Sequence, residues 1–384
     1  MKKLFAALVL CLLASPALAQ VNMAGAEFAT SGTRSRIPGV IGSDYVYATN
    51  SQIDAVMQKG WKHIRIPIRH ERIVTGLMGD FRAADIAELD RMIARVISNG
   101  GSVNIDVHNY GGFKFNNTDI GYYNHNRTGA TNLPPDGIVD LWKRLAERYK
   151  SLTAVSFGIM NEPNRQSASE WRVVADAIVA GIRSTGATNL ITVPGTSWTG
   201  AHSWMRSGNA AAMQSFTDTN YAFEMHQYFD ADSSGTSADC VSATIGSERL
   251  KAATEWMRAK GAKGYLGEYG VADNPTCLAA LQDMATYMRA NADVWMGSAY
   301  WAAGPWWGNY KYSVHPPKGA NQTAVVLAAP LPTPDPTPTP DPIPDPTPTP
   351  DPIPDPTPDP TPAPAGKCSM AVGAFTATWD CVIK

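Results

Sequence analysis

The stretch Val155-Ser-Phe-Gly-Ile-Met-Asn161-Glu162-Pro163 is a short, mostly apolar run that ends in an acidic residue. A second stretch, Gly264-Tyr-Leu-Gly-Glu268-Tyr-Gly270, repeats this arrangement later in the chain. Short apolar runs that alternate with helical patterns predict a parallel α/β barrel. Residues at the carboxyl ends of the strands line the active-site mouth of such a barrel. Two carboxylates that face each other across a mouth are suited to chemistry at a glycosidic bond.

The region between about residues 20 and 329 carries eight strand patterns, which predict a single (β/α)8 TIM barrel. The strands are predicted near 21–26, 62–67, 102–108, 154–160, 189–194, 220–226, 263–268 and 294–301. Helices are predicted near 50–59, 83–99, 136–149, 168–184, 203–214, 244–260 and 275–291. The pattern over 83–98 is the clearest, and Asn99-Gly100-Gly101 gives it a helix stop. The periodicity after Tyr310 is too weak to define an eighth helix.

The first nineteen residues have the features of a secretory signal peptide. Lys2 and Lys3 form the basic end, an apolar run follows, and Ala17-Leu-Ala19 matches a small-residue cleavage pattern. The apolar run is too short to span a bilayer. A lipoprotein site at Cys11 is disfavoured because the bulky Leu10 precedes it. We therefore expect a secreted, extracellular protein with its mature start near Gln20 and no membrane partner.

A proline-rich segment follows the predicted barrel. Proline occupies every even-numbered position from 330 to 364. Because proline lacks a backbone donor, this segment cannot form a helix or a sheet. We predict an extended linker at 330–365, roughly 110 Å long at about 3.1 Å per residue. Residues 366–384 form a short cysteine-bounded stub, which is either a minimal carbohydrate-binding hairpin or the start of a truncated module.

Four cysteines remain after the predicted signal peptide: Cys240, Cys277, Cys368 and Cys381. An exported protein can form disulfides, and four cysteines allow three pairings. The linker separates the cysteines into two pairs, which favours Cys240–Cys277 and Cys368–Cys381. A zinc site is disfavoured, since no Cys-x-x-Cys or matching histidine pair accompanies them.

The charge balance excludes some classes of partner. The formal net charge is −2 and 17% of the residues are charged, which is not the signature of a protein that binds nucleic acid or an anionic membrane. The 11 tryptophans provide flat apolar faces on which sugar rings can rest, although several are expected in the core. No pattern indicates an oligomer, so we expect a monomer.

Polar or aromatic residues appear at the end of nearly every predicted strand. One such residue is usually a cap or a surface group, and Glu162 before Pro163 could be an acid at a helix start. Convergence of seven strand ends on one rim is a better account, and it defines the candidate site. The site residues are Arg65, His108, Asn109, Asn161, Glu162, Trp198, His226, Tyr228, Glu268 and Trp301.

The pattern resembles glycoside hydrolase family 5, and especially its fungal and bacterial endoglucanase branch. The matching strings are Arg65-Ile-Pro67, Asp106-Val-His108-Asn109-Tyr110, Phe157-Gly-Ile-Met-Asn161-Glu162-Pro163, His226-Gln-Tyr228, Gly267-Glu268-Tyr269-Gly270 and Trp301-Ala-Ala-Gly304. Asn-Glu-Pro alone is a weak motif, but these strings in this order are specific. The segments around Cys240 and Cys277 also resemble this branch and support the Cys240–Cys277 pairing.

The resemblance implies a cofactor-independent, retaining endo-β-1,4-glucanase that acts on cellulose or another β-glucan. Glu162 would be the general acid/base and Glu268 the nucleophile. The other residues would bind the substrate or orient the two glutamates, with Trp301 as the floor beneath the sugar. Trp198 lies in a predicted loop, where its indole would serve either for packing or for sugar stacking. A catalytic metal is not expected, because no helical His-Glu-x-x-His motif is present. A mannanase, xyloglucanase or lichenase on the same site remains open, as does a non-catalytic carbohydrate-binding barrel.

Overall fold

The computed structural model describes residues 20–28, 36–115, 118–124 and 132–327, together with the backbone of 365–372 and 375–382. The side chains of 115 and 118–120 are not among those described. The chain divides into two units, residues 1–333 and residues 334–384. The predicted signal peptide, residues 1–19, and positions 330–364 of the predicted linker lie outside the described residues.

The described residues form thirteen strands and nine α-helices. The strands are β1 (Gln20–Met23), β2 (His63–Ile68), β3 (Ser102–Val107), β4 (Gly112–Phe115), β5 (Thr118–Tyr123), β6 (Asn132–Leu133), β7 (Val155–Gly158), β8 (Ile191–Pro194), β9 (Tyr221–His226), β10 (Gly264–Tyr269), β11 (Trp295–Ala303), β12 (Ala365–Val372) and β13 (Phe375–Val382). The helices are α1 (Asn50–Gln58), α2 (His70–Ile73), α3 (Ala83–Ser98), α4 (Asp136–Tyr149), α5 (Ala168–Arg183), α6 (Asn209–Met213), α7 (Ile245–Lys260), α8 (Pro275–Ala290) and α9 (Ala320–Leu327).

Eight parallel strands of the first unit close into a barrel in the order β1-β11-β10-β9-β8-β7-β3-β2. Each of the eight predicted strands is present, so the predicted (β/α)8 barrel is confirmed. The strands are buried on both faces, as expected for a parallel sheet that is covered by helices. Their carboxyl ends therefore meet at one rim of the barrel.

Local sequence explains where the main helices begin and end. Ser167 caps α5: its side chain accepts from the backbone N–H of Glu170, whose carboxylate accepts from the N–H of Ser167. Asn274 caps α8 in a similar way, and Pro275 occupies the first helical position. Helix α3 ends before Gly100, whose φ of 74° lies in the left-handed region that glycine tolerates.

The structure corrects one predicted helix. Instead of a helix over 203–214, two short 3-10 turns at Ser197–Thr199 and Ala201–Ser203 precede α6 at Asn209–Met213. Gly208 adopts a φ of 82° and interrupts the helical path. The weak periodicity after Tyr310 contains a short helix, α9.

Two further features were not predicted. Strands β4, β5 and β6 form a small three-stranded sheet between β3 and α4. Helix α2 is a single turn that follows β2 directly. Both lie at the carboxyl-end rim, where connecting segments carry much of the variation in this kind of barrel.

A disulfide links Cys240 and Cys277, whose Cα atoms lie 5.2 Å apart, which confirms the first predicted pairing. In the second unit, β12 and β13 form an antiparallel hairpin in which Cys368 pairs with Trp379 and Cys381 with Gly366. The side chains of this hairpin lie outside the described part of the structure, so the Cys368–Cys381 bond stays a prediction.

No helix within the described ranges combines the length and the apolar composition needed to cross a membrane.

Candidate active site

Most of the predicted site residues meet at the carboxyl-end rim of the barrel. Arg65 lies on β2, Glu268 on β10, and Glu162 four residues beyond β7. His226 ends β9, and its Cα is the pairing partner of Glu268 across the two strands. The parallel barrel therefore brings together residues that are far apart in the sequence.

Arg65 is the centre of this cluster and is fully buried. Its guanidinium contacts Asn22 Oδ1 at 2.8 Å, Glu268 Oε1 at 3.1 Å, Asn161 Oδ1 at 3.0 Å, Glu224 Oε1 at 2.8 Å and Asp106 Oδ1 at 3.1 Å. A buried cation needs compensating charge and hydrogen-bond acceptors, and three carboxyl groups and two amides supply them. Arg65 thus fixes the direction in which each of these side chains points.

Glu268 is held by two donors, one on each of its carboxylate oxygens. Arg65 donates to Oε1, and the Tyr228 hydroxyl donates to Oε2 at 3.0 Å. Burial raises the pKa of Glu268 above its usual value, and the charge of Glu162 acts in the same direction. His226 and Arg65 oppose this shift. Burial also raises the pKa of Tyr228 well above its usual value, so its hydroxyl stays protonated and donates.

Glu162 is oriented by His226, whose Nδ1 lies 2.7 Å from Glu162 Oε1. The other ring nitrogen, Nε2, lies 3.3 Å from Glu224 Oε1. Burial alone would lower the pKa of His226, but the carboxylates of Glu268, Glu162 and Glu224 outweigh it and raise the pKa to about 10. His226 is therefore an imidazolium at neutral pH, and both of its nitrogens donate.

The backbone at Glu162 is unusual. Its φ is 44°, in the left-handed region, and such strain in a non-glycine residue clusters at functional sites. The neighbouring Asn161 is buried, and its Nδ2 has no hydrogen-bond partner among the described residues.

A carboxylate oxygen of Glu162 and one of Glu268 lie within 4.8 Å of each other. Both carboxylates can therefore reach the same bond, and an approach this close is compatible with the spacing of about 5–5.5 Å between the carboxyl groups of retaining glycosidases.

His108 and Trp301 form a second part of the site. Their rings are stacked, with centroids 5.4 Å apart and planes 19° apart. His108 Nδ1 lies 2.8 Å from Asp106 Oδ2. Burial lowers the pKa of His108 to about 3, so the ring is neutral, Nδ1–H donates to Asp106, and Nε2 accepts from the Tyr110 hydroxyl at 3.3 Å.

A cleft of about 820 Å³ opens beside Glu162. Trp198, Tyr110, His226 and Tyr228 are among its lining residues. Trp198 is 56% exposed, which is high for a tryptophan. Of the two glutamates, only Glu162 lines this cleft.

Asn109 is not part of this cluster. Its Nδ2 donates to the Glu71 carboxylate at 2.9 and 3.0 Å, and its Oδ1 accepts from the backbone N–H of His70 at 2.8 Å. These bonds hold the connections after β2 and β3 together, so Asn109 has a different environment from the other predicted site residues.

Sequence reasoning missed four members of the site: Asn22, Asp106, Glu224 and Tyr110. A signal was available for two of them. Asp106 and Glu224 stand two positions before His108 and His226, and residues two apart on a strand point to the same face. Charged residues at such positions within buried strands therefore indicate a polar layer inside the barrel mouth.

Within the described residues, the group that could hold a metal ion is Glu162, His226 and Glu268, whose ligand atoms lie within 4.8 Å of one another. A histidine must be neutral to bind a metal. Because the pKa of His226 is raised to about 10 and both ring nitrogens face carboxylates, this histidine is poorly suited to be a ligand.

Known proteins that resemble this chain are glycoside hydrolases, which agrees with the paired carboxylates at the barrel rim. The family model described as cellulase (glycosyl hydrolase family 5) matches residues 21–304. An endo-beta-1,4-glucanase B from Aspergillus niger is 36% identical over 306 residues, which cover 79% of this chain and 87% of the relative.

Solved structures agree. The endo-beta-1,4-glucanase Xac0029 from Xanthomonas axonopodis pv. citri is 41% identical with a TM-score of 0.73, and the match covers 81% of this chain and 97% of that one. XacCel5A in complex with cellopentaose is 39% identical with a TM-score of 0.74, covering 82% and 99%. With its barrel and its family match over most of the chain, this protein belongs to the cellulase family of glycoside hydrolases, glycosyl hydrolase family 5.

Proposed function

We propose that this glycoside hydrolase is a secreted endo-β-1,4-glucanase that cleaves internal bonds of cellulose and related β-glucans with retention of configuration. The observation that carries the mechanism is the pair of carboxylate oxygens, of Glu162 and Glu268, within 4.8 Å of each other. The named activities of the relatives, together with the cellopentaose complex of a similar structure, support the choice of β-1,4-glucan.

In the first step, Glu268 attacks the anomeric carbon and forms a covalent glycosyl-enzyme bond. The bond to the leaving sugar breaks, its electron pair stays on the glycosidic oxygen, and that oxygen takes the proton of Glu162. Arg65 and Tyr228 donate to Glu268, so they stabilise its ionised form and aim one oxygen at the sugar.

In the second step, Glu162 acts as a base. It takes a proton from water, the water oxygen attacks the anomeric carbon, and Glu268 leaves as a carboxylate. His226 donates to Glu162 Oε1, which leaves the other oxygen of Glu162 to carry the transferred proton. The same glutamate therefore serves as acid and then as base.

The surrounding groups position the sugar at the point of cleavage. Asn161 Nδ2, which has no partner among the described residues, is available to the sugar 2-hydroxyl. Trp301, which stacks on the His108 ring, is the proposed floor beneath this sugar, and the Tyr110 hydroxyl and His108 are the proposed hydrogen-bonding groups beside it. Trp198 provides a second platform in the cleft next to Glu162.

We also propose that residues 1–19 are removed on export, and that 330–365 are a spacer between the catalytic domain, residues 20–329, and the stub at 366–384. The basic, apolar and small-residue segments of 1–19 and the proline alternation support this division. The protein recovered from the medium should begin near Gln20 when its N-terminus is sequenced. Full-length protein found only inside the cell would contradict export.

The substrate proposal predicts a ranking of polysaccharides. Reducing sugar should be released from carboxymethyl cellulose and lichenan faster than from mannan or xyloglucan, and viscosity should fall early because internal bonds are cut. Preferential release from mannan would overturn the choice of glucan. Binding of all these glycans without turnover would instead favour a non-catalytic barrel.

The assignment of the two glutamates predicts different losses. Glu268→Gly should lose activity by about 10³-fold or more, because no other group forms the covalent bond. Added azide should restore turnover of an activated aryl cellobioside and give a glycosyl azide of inverted configuration. Glu162→Ala should fall by about 10²–10⁴-fold on cellulose but far less on that aryl substrate, whose leaving group needs no proton.

Circular dichroism and thermal unfolding show whether these variants keep the fold. Wild-type-like hydrolysis of cellulose by either variant would contradict its role. An equal loss on both substrates for Glu162→Ala would contradict the acid role alone.

The environment of Glu268 predicts how kcat/KM changes with pH on the acid side of its optimum. Glu268 must be ionised to attack, and its pKa is raised, so kcat/KM should fall with decreasing pH at a higher pH than for an ordinary glutamate. Tyr228→Phe removes a donor to the ionised form of Glu268. The pH at which kcat/KM falls should therefore rise by about one unit. Tyr269→Phe is the matched control, since the Tyr269 hydroxyl contacts Ser298 on the neighbouring strand. An unchanged or lower pH for this fall in Tyr228→Phe would rule out this account.

A further inference from the structure

Three consecutive non-glycine residues adopt left-handed backbone angles at the rim. The φ values are 55° at Ser197, 56° at Trp198 and 49° at Thr199. In this conformation Cβ crowds the following carbonyl oxygen, so single residues visit it and runs are rare. The surrounding structure must therefore hold this segment in place.

Asn209 is one of the groups that hold it. This side chain is fully buried, its Oδ1 accepts from the backbone N–H of Thr196 at 2.9 Å, and its Nδ2 donates to the carbonyl of Thr196 at 2.9 Å. It thus pairs with both backbone polar groups of the residue that precedes the turn. Gly195 makes room for this contact, because a Cβ there would lie 2.5 Å from the Asn209 side chain.

Other bonds connect the turn to the strands that carry the reacting groups. Thr199 Oγ1 accepts from the N–H of Gly195 at 2.9 Å and donates to the carbonyl of Glu224 at 2.6 Å. The N–H of Trp198 donates to the carbonyl of Pro163 at 3.1 Å, directly after Glu162. These hydrogen bonds therefore fix the position of the turn relative to both Glu162 and the strand that carries His226.

The turn determines where Trp198 lies. Trp198 is 56% exposed, so core packing does not fix its side chain, and the backbone turn sets the direction in which the indole leaves the main chain. It lines the cleft that contains Glu162 but not Glu268. Since Glu162 protonates the leaving oxygen, this cleft takes the sugars on the leaving-group side of the bond.

We propose that Asn209 is a positioning residue for the leaving-group sugars: by clamping Thr196 it holds the left-handed turn, and through the turn it places Trp198 as their platform. The proposal rests on the proposed endoglucanase function. It adds to that function a residue, remote from the reacting atoms, that controls how sugars beyond the cleaved bond bind.

The test compares two substrates on the same variants. Cellopentaose places sugars on both sides of the cleaved bond, whereas 2,4-dinitrophenyl β-cellobioside places only an aryl group on the leaving side. In Asn209→Ala, kcat/KM for cellopentaose should fall about tenfold, mainly through a higher KM, while the aryl substrate should change less than about twofold. Trp198→Ala should show the same difference between the two substrates. The double variant should lose no more kcat/KM on cellopentaose than Trp198→Ala alone, because both residues act through one platform.

Asn189→Ala is the matched control. Asn189 is also a buried asparagine that clamps backbone carbonyls, those of Leu152 and Val155, but it precedes β8 at the other end of the barrel. It should lower the melting temperature without changing the ratio of the two substrates. If Asn209→Ala does not fold, Asn209→Asp, which keeps the acceptor for Thr196, is measured in the same assays and should show a smaller difference between the two substrates in the same direction.

The outcomes separate the two proposals. An equal loss on both substrates, an unchanged ratio in the Asn209 variants, or additive losses in the double variant would overturn the positioning role. A wild-type enzyme that cleaves neither substrate would instead overturn the proposed function.

Discussion

The buried guanidinium of Arg65 is the constraint on which the site depends. A full positive charge inside the barrel mouth requires neutralisation, and Asp106, Glu224 and Glu268 provide it from three different strands. Removing one partner of a buried pair typically costs about 3–5 kcal/mol, because the other charge is left uncompensated. The charge of Arg65 therefore contributes both to the orientation of Glu268, the proposed nucleophile, and to the stability of the barrel.

The carboxylates around Arg65 differ because their second partners differ. Burial raises the pKa of Asp106, which faces a neutral His108. Burial would also raise the pKa of Glu224, but Arg65, His226 and the hydroxyl of Thr192 outweigh it and lower the pKa. The lowered pKa favours the anionic form of Glu224 beside His226, and this charge helps to keep the His226 ring protonated where it meets Glu162.

The eight strands and most of the helices could be predicted because each depends on local signals: apolar runs, caps and glycine stops. Glu162 and Glu268 could be predicted because a parallel barrel sends every strand end to one rim. Asn22 was missed because only the closed barrel brings it to Arg65. Asp106 and Glu224 were missed although their two-residue spacing from His108 and His226 placed them on the same strand face. The helix expected over 203–214 failed for a related reason: the pattern favoured a helix, but Asn209 contacts Thr196 and Gly208 turns the chain.

The two proposed catalytic residues are held in different ways, and this difference fits the roles proposed for them. Glu268 belongs to a strand and is fixed by two donors, Arg65 and Tyr228, as a nucleophile that must approach one carbon along one line requires. Glu162 lies beyond its strand in a left-handed conformation, with one oxygen held by His226 and its side chain still 15% exposed. A group that must give a proton to a sugar oxygen and later take one from water needs this access. The backbone N–H of Trp198 donates to the carbonyl of Pro163, next to Glu162. In the proposed mechanism, the leaving sugars are thus positioned relative to the same residue that protonates them.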